Sequence, residues 1–134
     1  MPKLGMAPIR RKQLVEAAIA VIHEVGFTHA TVVRIARKAG VSSGIVHHYF
    51  VNKDDLLLAT MRHLLSELRR EAVSRLALAE DPVKRIEAVI DASFGDAQFD
   101  ERVFSAWLAL YGNARQSDRL QRILVLYHRR LRAN

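Results

Sequence analysis

Polar side chains of helix-forming type cluster between Gly40 and Asn52, in the stretch GVSSGIVHHYFVN. Two serines and two histidines surround a short apolar pattern there. Hydroxyls and imidazoles donate and accept hydrogen bonds, and a helix that only filled a core would not need four of them. The stretch therefore predicts a short helix that contacts a polar, anionic partner.

The charge distribution places an anionic partner at the same end of the chain. The 134 residues carry a net charge of +7. Residues 1–53 hold eight basic and two acidic side chains, a net of +6, whereas residues 54–134 hold thirteen and twelve. Such an excess is typical of proteins that bind nucleic acid or a membrane surface, although a solvated basic face gives the same count.

The composition argues against several other classes of protein. Cysteine is absent, which excludes disulfides, cysteine-ligated zinc and thiol catalysis. No apolar run reaches the ~18 residues that a membrane span requires, and no signal-peptide core follows the first six residues. We therefore expect a soluble, cytoplasmic protein.

The six histidines predict neither a metal site nor catalysis. His47 and His48 are adjacent, so they point about 100° apart on a helix and cannot share a metal ion. None of the other four has a second histidine four residues further on. There is also no nucleophile motif, glycine-rich phosphate loop or pair of catalytic acids. We expect no metal, no cofactor and no enzymatic activity.

The apolar spacing predicts an all-α fold of seven helices and no strand. Caps are expected at Thr31, Ser42, Asn52 and Asp81, with Val51 and Leu56 closing a hydrophobic staple at the fourth helix. In the fifth helix, Val83, Ile86, Val89, Ile90 and Phe94 form the predicted buried stripe. The predicted helices cover residues 8–25, 31–38, 42–49, 52–78, 81–95, 100–111 and about 116–134.

The Ala39-Gly40-Val41 corner between the second and third helices predicts a helix-turn-helix. A small residue followed by glycine lets the two helices cross closely, and the third helix then fits the major groove of DNA. Its predicted base-edge contacts are Ser42, Ser43, Gly44 and Ile45. Its predicted phosphate contacts are Thr31, His47, His48 and Lys53.

Residues 10–56 resemble the DNA-binding domain of the TetR family of repressors. The matching positions are Thr31, Ile35-Ala36, Ala39-Gly40-Val41-Ser42, Gly44, Tyr49-Phe50, Asn52-Lys53 and Leu56. This resemblance adds a groove contact from Val33 or Arg34. The sequence departs from the family at His47, where many relatives carry tyrosine, and at Val33, where some carry arginine.

Three further segments resemble the BetI-type repressors of glycine-betaine synthesis within that family: residues 1–6, Arg10-Arg11 and Ser105–Ala109. The resemblance implies a sequence-specific repressor that binds a palindromic operator as a homodimer when full length. A small cationic inducer such as choline would release it from the operator.

Two units are expected, a DNA-binding head over residues 1–53 and a helical regulatory domain over residues 54–134. Family members are usually longer and dimerise through their last two helices. We therefore expect the regulatory domain to be incomplete here. The seventh helix would then either pack back on the fourth to sixth or leave its apolar stripe exposed.

Phe104, Trp107 and Tyr111 lie at i, i+3 and i+7, on one face of the sixth helix. Aromatic faces hold a quaternary ammonium through cation–π attraction, so these residues are candidates for an inducer site. Asp91 or Asp100 could add a carboxylate. The same spacing is also that of an ordinary core stripe, and both interpretations stay open from the residues.

An alternative function is an all-helical interaction module. The basic residues Arg10, Arg11 and Lys12 would then dock on an anionic membrane or on an acidic partner protein. Those charges lie within one turn at the start of the first helix and do not line a face, which favours the DNA-binding interpretation.

Overall fold

The computed structural model describes residues 6–133, apart from the side chain of Leu131, and this part of the chain forms seven α-helices and no strand. The predicted all-α fold is confirmed. Residues 1–5, which contribute to the resemblance of residues 1–6, lie outside the described residues. The helices are α1 (Met6–Val25), α2 (Val32–Ala39), α3 (Ser43–Tyr49), α4 (Lys53–Leu76), α5 (Pro82–Phe94), α6 (Glu101–Ala114) and α7 (Asp118–Ala133).

All four predicted helix caps are present. In each, a side-chain oxygen accepts a hydrogen bond from the backbone N–H three residues on, which satisfies one of the free donors of the first turn. The donor–acceptor distances run from 2.9 to 3.3 Å at the caps Thr31, Ser42, Asn52 and Asp81. Short polar side chains therefore fix the starts of α2, α3, α4 and α5.

The predicted hydrophobic staple at the start of α4 is wrong. Val51 is 79% exposed, whereas Leu56 is buried, so the two side chains do not close over the cap. Instead, the backbone N–H of Val51 donates to the Asp55 carboxylate at 3.2 Å. A charged hydrogen bond fixes the entry of the chain where an apolar contact was expected.

Helix α6 runs past its predicted end at Tyr111. Gly112 and Asn113 lie inside the last turn, and a Cβ placed on Gly112 would meet no atom within 4 Å. The Asn113 amide donates to the carbonyl of Ala109 at 2.7 Å, within its own helix. Because both residues are accommodated in helical conformation, the helix ends only at Ala114.

One continuous hydrophobic core joins the two predicted units. Helix α1 lies at its centre and packs against α2, α4 and α6. Leu14 of α1, Met61 of α4 and Ala106 and Leu110 of α6 are completely buried in the same cluster as Val46 of α3. The division at residue 53 stays a prediction, since apolar contacts cross it without a break.

The predicted buried stripe of α5 is wrong. Its buried residues are Ala88 and Ala92, which face α4. Val83, Ile86, Ile90 and Phe94 are each more than half exposed. Apolar spacing identifies a face of a helix, but which face is covered depends on the neighbouring helix, and the small alanines permit the closer approach to α4.

Helix α7 packs back on the preceding helices, which was one of the two alternatives predicted from the sequence. Leu120 and Leu124 are buried against α4 and α6, while Val125 and Leu126 stay more than half exposed. Within residues 6–133, no helix is both long enough and apolar enough to cross a bilayer.

Candidate nucleic-acid interface and regulatory helices

The corner between α2 and α3 has the predicted geometry. Gly40 adopts φ 73°, a left-handed conformation that glycine reaches without steric cost, and the Val41 N–H donates to the Ala36 carbonyl at 2.9 Å. Ile35 and Val46 are fully buried at the crossing. The two helices are therefore held rigidly against the core, and the orientation of α3 is fixed.

Burying Val46 turns the opposite face of α3 outward. Gly44, Ile45, His47 and His48 are exposed, and Ser43 is half-buried. A Cβ at Gly44 would meet only the Ser42 hydroxyl, at 3.7 Å. The predicted contact residues thus form one exposed surface with an open patch of backbone in its middle.

The hydroxyls of Thr31 and Ser42 already serve their own helices as caps, since each oxygen accepts one backbone hydrogen bond. The hydroxyl hydrogen of each can still be donated to a phosphate or a base edge. The backbone N–H of Thr31 donates to the His29 carbonyl at 2.9 Å. The geometry therefore favours its hydroxyl over its backbone as the phosphate ligand.

Lys53 has a structural partner that the sequence did not indicate. Its ammonium donates to the Phe27 carbonyl at 2.7 Å and lies 4.3 Å from the centre of the Phe27 ring. Partial burial lowers the pKa of Lys53. This lysine ties the start of α4 to the loop after α1, and its phosphate contact stays a prediction.

The basic residues of α2 differ in how they are engaged. Lys38 pairs with Glu24 of α1, whereas Arg34 is exposed and contributes only its backbone N–H to the Thr31 cap. Val33 is also exposed, at 55%. Of the two predicted groove contacts on α2, Arg34 has the side chain that can reach an anion.

Arg11 of α1 contacts the residues at the end of α3. Its guanidinium lies 5.1 Å from the centre of the Phe50 ring and donates to the Tyr49 carbonyl at 3.4 Å. One of the three charges that the interaction-module alternative needs is thus directed at the protein itself.

The three aromatic residues proposed as an inducer site fall into two separate clusters. Phe104 stacks on Phe99, with ring centres 6.1 Å apart. Trp107 instead contacts Tyr111 at 5.9 Å and Tyr127 of α7 at 6.5 Å. We call Trp107, Tyr111 and Tyr127 the ring cluster. Burial raises the pKa of both tyrosines, and the charge of Tyr111 adds to the rise at Tyr127.

The two carboxylates predicted to assist the inducer site, Asp91 and Asp100, have different surroundings. Asp100 caps α6, since its Oδ1 accepts from the N–H groups of Arg102 and Val103 at 3.0 and 3.4 Å. Asp91 is exposed on α5. Asp100 therefore stabilises the start of α6.

A cavity of about 570 Å³ lies between α4, α5 and α7. Its apolar wall includes Leu68, Val89, Ile123 and Tyr127. Tyr127 is the one member of the ring cluster that lines it, and neither Phe104 nor Trp107 does so. Tyr127 was not singled out from the sequence, so this role was missed.

Two polar contacts between helices were also missed. Arg119 at the start of α7 donates to Asp55 at 2.7 Å and to Asp54 at 3.4 Å. His23 of α1 lies 2.9 Å from the Ser105 hydroxyl of α6. The partners are 64 to 82 residues apart, and a single sequence carries no signal for such pairs.

Asp55 links the Arg119 contact to the DNA-binding head. The hydrogen bond from Arg119 lowers the pKa of Asp55, with smaller contributions from the charge of Arg119 and from the backbone of Val51 and Asn52. The same carboxylate therefore holds the entry to α4, directly after the contact helix, and the first turn of α7.

Comparison with known proteins agrees with this architecture. Residues 14–60 match the family described as bacterial regulatory proteins, tetR family. Over all 134 residues, the chain is 48% identical to the HTH-type transcriptional regulators BetI of Brucella suis (strain ATCC 23445 / NCTC 10510) and Rhizobium meliloti, of which it spans 68% and 66%. A TetR transcription regulator from Haloarcula marismortui has the same fold, with a TM-score of 0.81 at 24% identity, over 94% of this chain and 66% of that one.

The chain belongs to the TetR family of bacterial regulatory proteins. Its curated relatives are transcriptional regulators and not enzymes, which agrees with the prediction that the chain has no enzymatic activity. Residues 82–134 match the BetI-type transcriptional repressor C-terminal family, which confirms the finer resemblance as well. The chain spans about two thirds of the length of these relatives.

Proposed function

We propose that this chain is a sequence-specific, DNA-binding transcriptional repressor that binds a palindromic operator in the cytoplasm. The observation that carries the proposal is the outward face of α3. With Val46 buried and the Gly40 corner in place, Gly44 and Ile45 are exposed and Ser43 beside them is half-buried. A helix held in this way presents its first turn to the base edges of the major groove.

The predicted contacts then divide by role. Ser42 and Ser43 supply hydroxyls, Gly44 allows close approach, and Ile45 meets a thymine methyl group. Thr31, Arg34, His47, His48 and Lys53 surround that patch and bind phosphates. Two such heads in a homodimer would read half-sites ~34 Å apart, so the operator is expected to be palindromic.

A selection of duplex DNA from a random library, followed by gel-shift titration over a range of salt concentrations, tests the assignment. Ser43→Ala should weaken binding to the selected site more than binding to random DNA. Lys53→Ala should weaken both equally and lower the salt slope by about one. If Lys53 contacts only Phe27 and no phosphate, Lys53→Ala will leave the salt slope unchanged and lower the stability of the fold. If vesicles of anionic lipid bind the chain and random DNA does not, the interaction module replaces the repressor.

The proposed inducer is a small quaternary ammonium such as choline. The ring cluster supports this assignment, because a cation held over aromatic faces gains roughly 0.5–2 kcal/mol per ring. Phe104, which lies in the other aromatic cluster, remains a separate candidate. The test compares choline with 3,3-dimethylbutanol, its neutral isostere. Choline alone should lower operator affinity, and equal effects of the two compounds, or none, would refute a cation site.

We propose that the inducer signal reaches the head through α4. Its first turn follows α3 directly and is held from α7 by Arg119. A small swing of α4 would change the separation of two recognition helices in a dimer. An inducer that binds the wrongly spaced state better would then release an operator of fixed spacing.

A further inference from the structure

The contact helix α3 has no permanent charge of its own. Residues 39–52, which run from the corner after α2 to the cap of α4, include no aspartate, glutamate, lysine or arginine. DNA phosphates attract cations, and proteins that bind DNA most often meet them with lysine or arginine. On α3, the side chains that become cationic near neutral pH are His47 and His48, and both are exposed.

Neither imidazole has an acidic partner among the side chains that the structure describes, since the ion pairs there include neither histidine. The ring of His48 instead meets the edge of the Tyr49 ring, with centres 5.0 Å apart. The segments that adjoin α3 carry the charged groups Arg11, Arg34, Arg37, Lys38, Lys53, Asp54 and Asp55. Of these, the two aspartates are held by Arg119 of α7. An anion that holds a proton on His47 or His48 must therefore come from the bound partner.

We infer that pH sets the charge of the contact helix, so that operator binding takes up protons at His47 and His48. An imidazole changes its charge between about pH 5 and pH 8, and a neighbouring phosphate favours the charged form. The DNA-bound state therefore holds more protons than the free state, and the affinity for DNA rises as the pH falls through this range. The inference rests on the proposed repressor function and adds a form of regulation to its contact surface.

Fluorescence anisotropy with the selected duplex, measured at constant ionic strength, tests the inference. The affinity should be roughly tenfold higher at pH 6 than at pH 8. The salt slope should also be steeper at pH 6, by about one for each phosphate that an imidazolium neutralises. The double variant His47→Gln and His48→Gln keeps a polar side chain at each position but should lose most of the pH dependence. Urea denaturation at both pH values checks that the variant is folded.

Two further variants separate α3 from the other histidines. His128→Gln removes an exposed imidazole from α7 and leaves α3 intact, so it should keep the full pH dependence. His48→Arg fixes a positive charge on α3. It should therefore raise the affinity at pH 8 more than at pH 6 and flatten the profile.

The outcomes distinguish this inference from the repressor assignment. An affinity that does not change between pH 6 and pH 8 would overturn the inference and leave the repressor assignment intact. An unchanged pH profile in the double glutamine variant, or a lost profile in His128→Gln, would overturn it in the same way. DNA that binds at neither pH would overturn the repressor assignment together with the inference.

Discussion

Gly44 is the residue where local stability and binding make opposite demands. It lies in the first turn of α3, where alanine is the better helix former. The surrounding space is open, so the protein itself does not require glycine there. Close approach of a partner is the remaining physical reason for the missing side chain.

Gly44→Ala is therefore expected to stabilise the fold by up to roughly 0.5–1 kcal/mol. The added methyl group should nevertheless weaken operator binding at least about fivefold through steric conflict with the bases. Chemical denaturation and gel-shift titration measure the two effects.

Gly112 provides the control, because it is also helical and surrounded by open space but lies in α6. Gly112→Ala should stabilise the fold and leave operator affinity unchanged. A Gly44→Ala variant that binds DNA normally would show that α3 does not approach the groove closely.

Between elements, the contact of Arg119 with Asp54 and Asp55 is the connection that ties α7 to the start of α4. Because Arg119 stabilises the charged form of Asp55, the folded state has the lower pKa and the unfolded state keeps the ordinary one of 3.8. The stabilisation is therefore present above pH 3.8 and is lost as the pH falls through the lower, folded value.

We expect Asp55→Asn to reduce the free energy of unfolding at pH 7 and to flatten its decline on acidification. Urea denaturation of both proteins between pH 7 and pH 3 should show the two curves converging at the acid end. Asp96→Asn, at an exposed loop position, is the control. Curves that stay parallel over this range would mean that the carboxylate does not stabilise the folded state through its charge.

At the scale of the whole molecule, the head and the regulatory helices share one core. Leu110 of α6 is completely buried in the same cluster as Val46 of α3. Such continuity favours a single cooperative unfolding transition rather than independent melting of two units.

Leu110→Ala should cost about 2–5 kcal/mol of stability, the usual range for a large side chain deleted from a core. Hydrogen exchange should show the amides of α3 losing protection together with those of α6. Leu108→Ala, on the exposed face of the same helix, should change stability by less than about 0.5 kcal/mol. Normal protection of α3 in the Leu110→Ala variant would support a real boundary near residue 53.

Local features could be read from the sequence with good accuracy. The caps at Thr31, Ser42, Asn52 and Asp81 depend on side chains bonding to backbone only three residues away, and all four were predicted. The Gly40 corner is equally local, and it fixes which face of α3 points outward. The predicted contact surface on α3 follows from that short-range geometry.

Long-range features could not be read in this way. Apolar spacing predicted a stripe of large side chains on α5, yet packing against α4 covers its alanines and leaves most of those larger side chains exposed. The Lys53–Phe27 contact, the Arg119 connection and the ring cluster all join residues from different helices.

By itself, the sequence determined the helices, their caps, the helix-turn-helix corner and the family, because each of these depends on residue types within a few turns of one another. Only the tertiary structure decided which aromatic rings meet and which face of α5 is covered. Those arrangements depend on how seven helices pack, and packing is set by contacts between residues far apart in the chain.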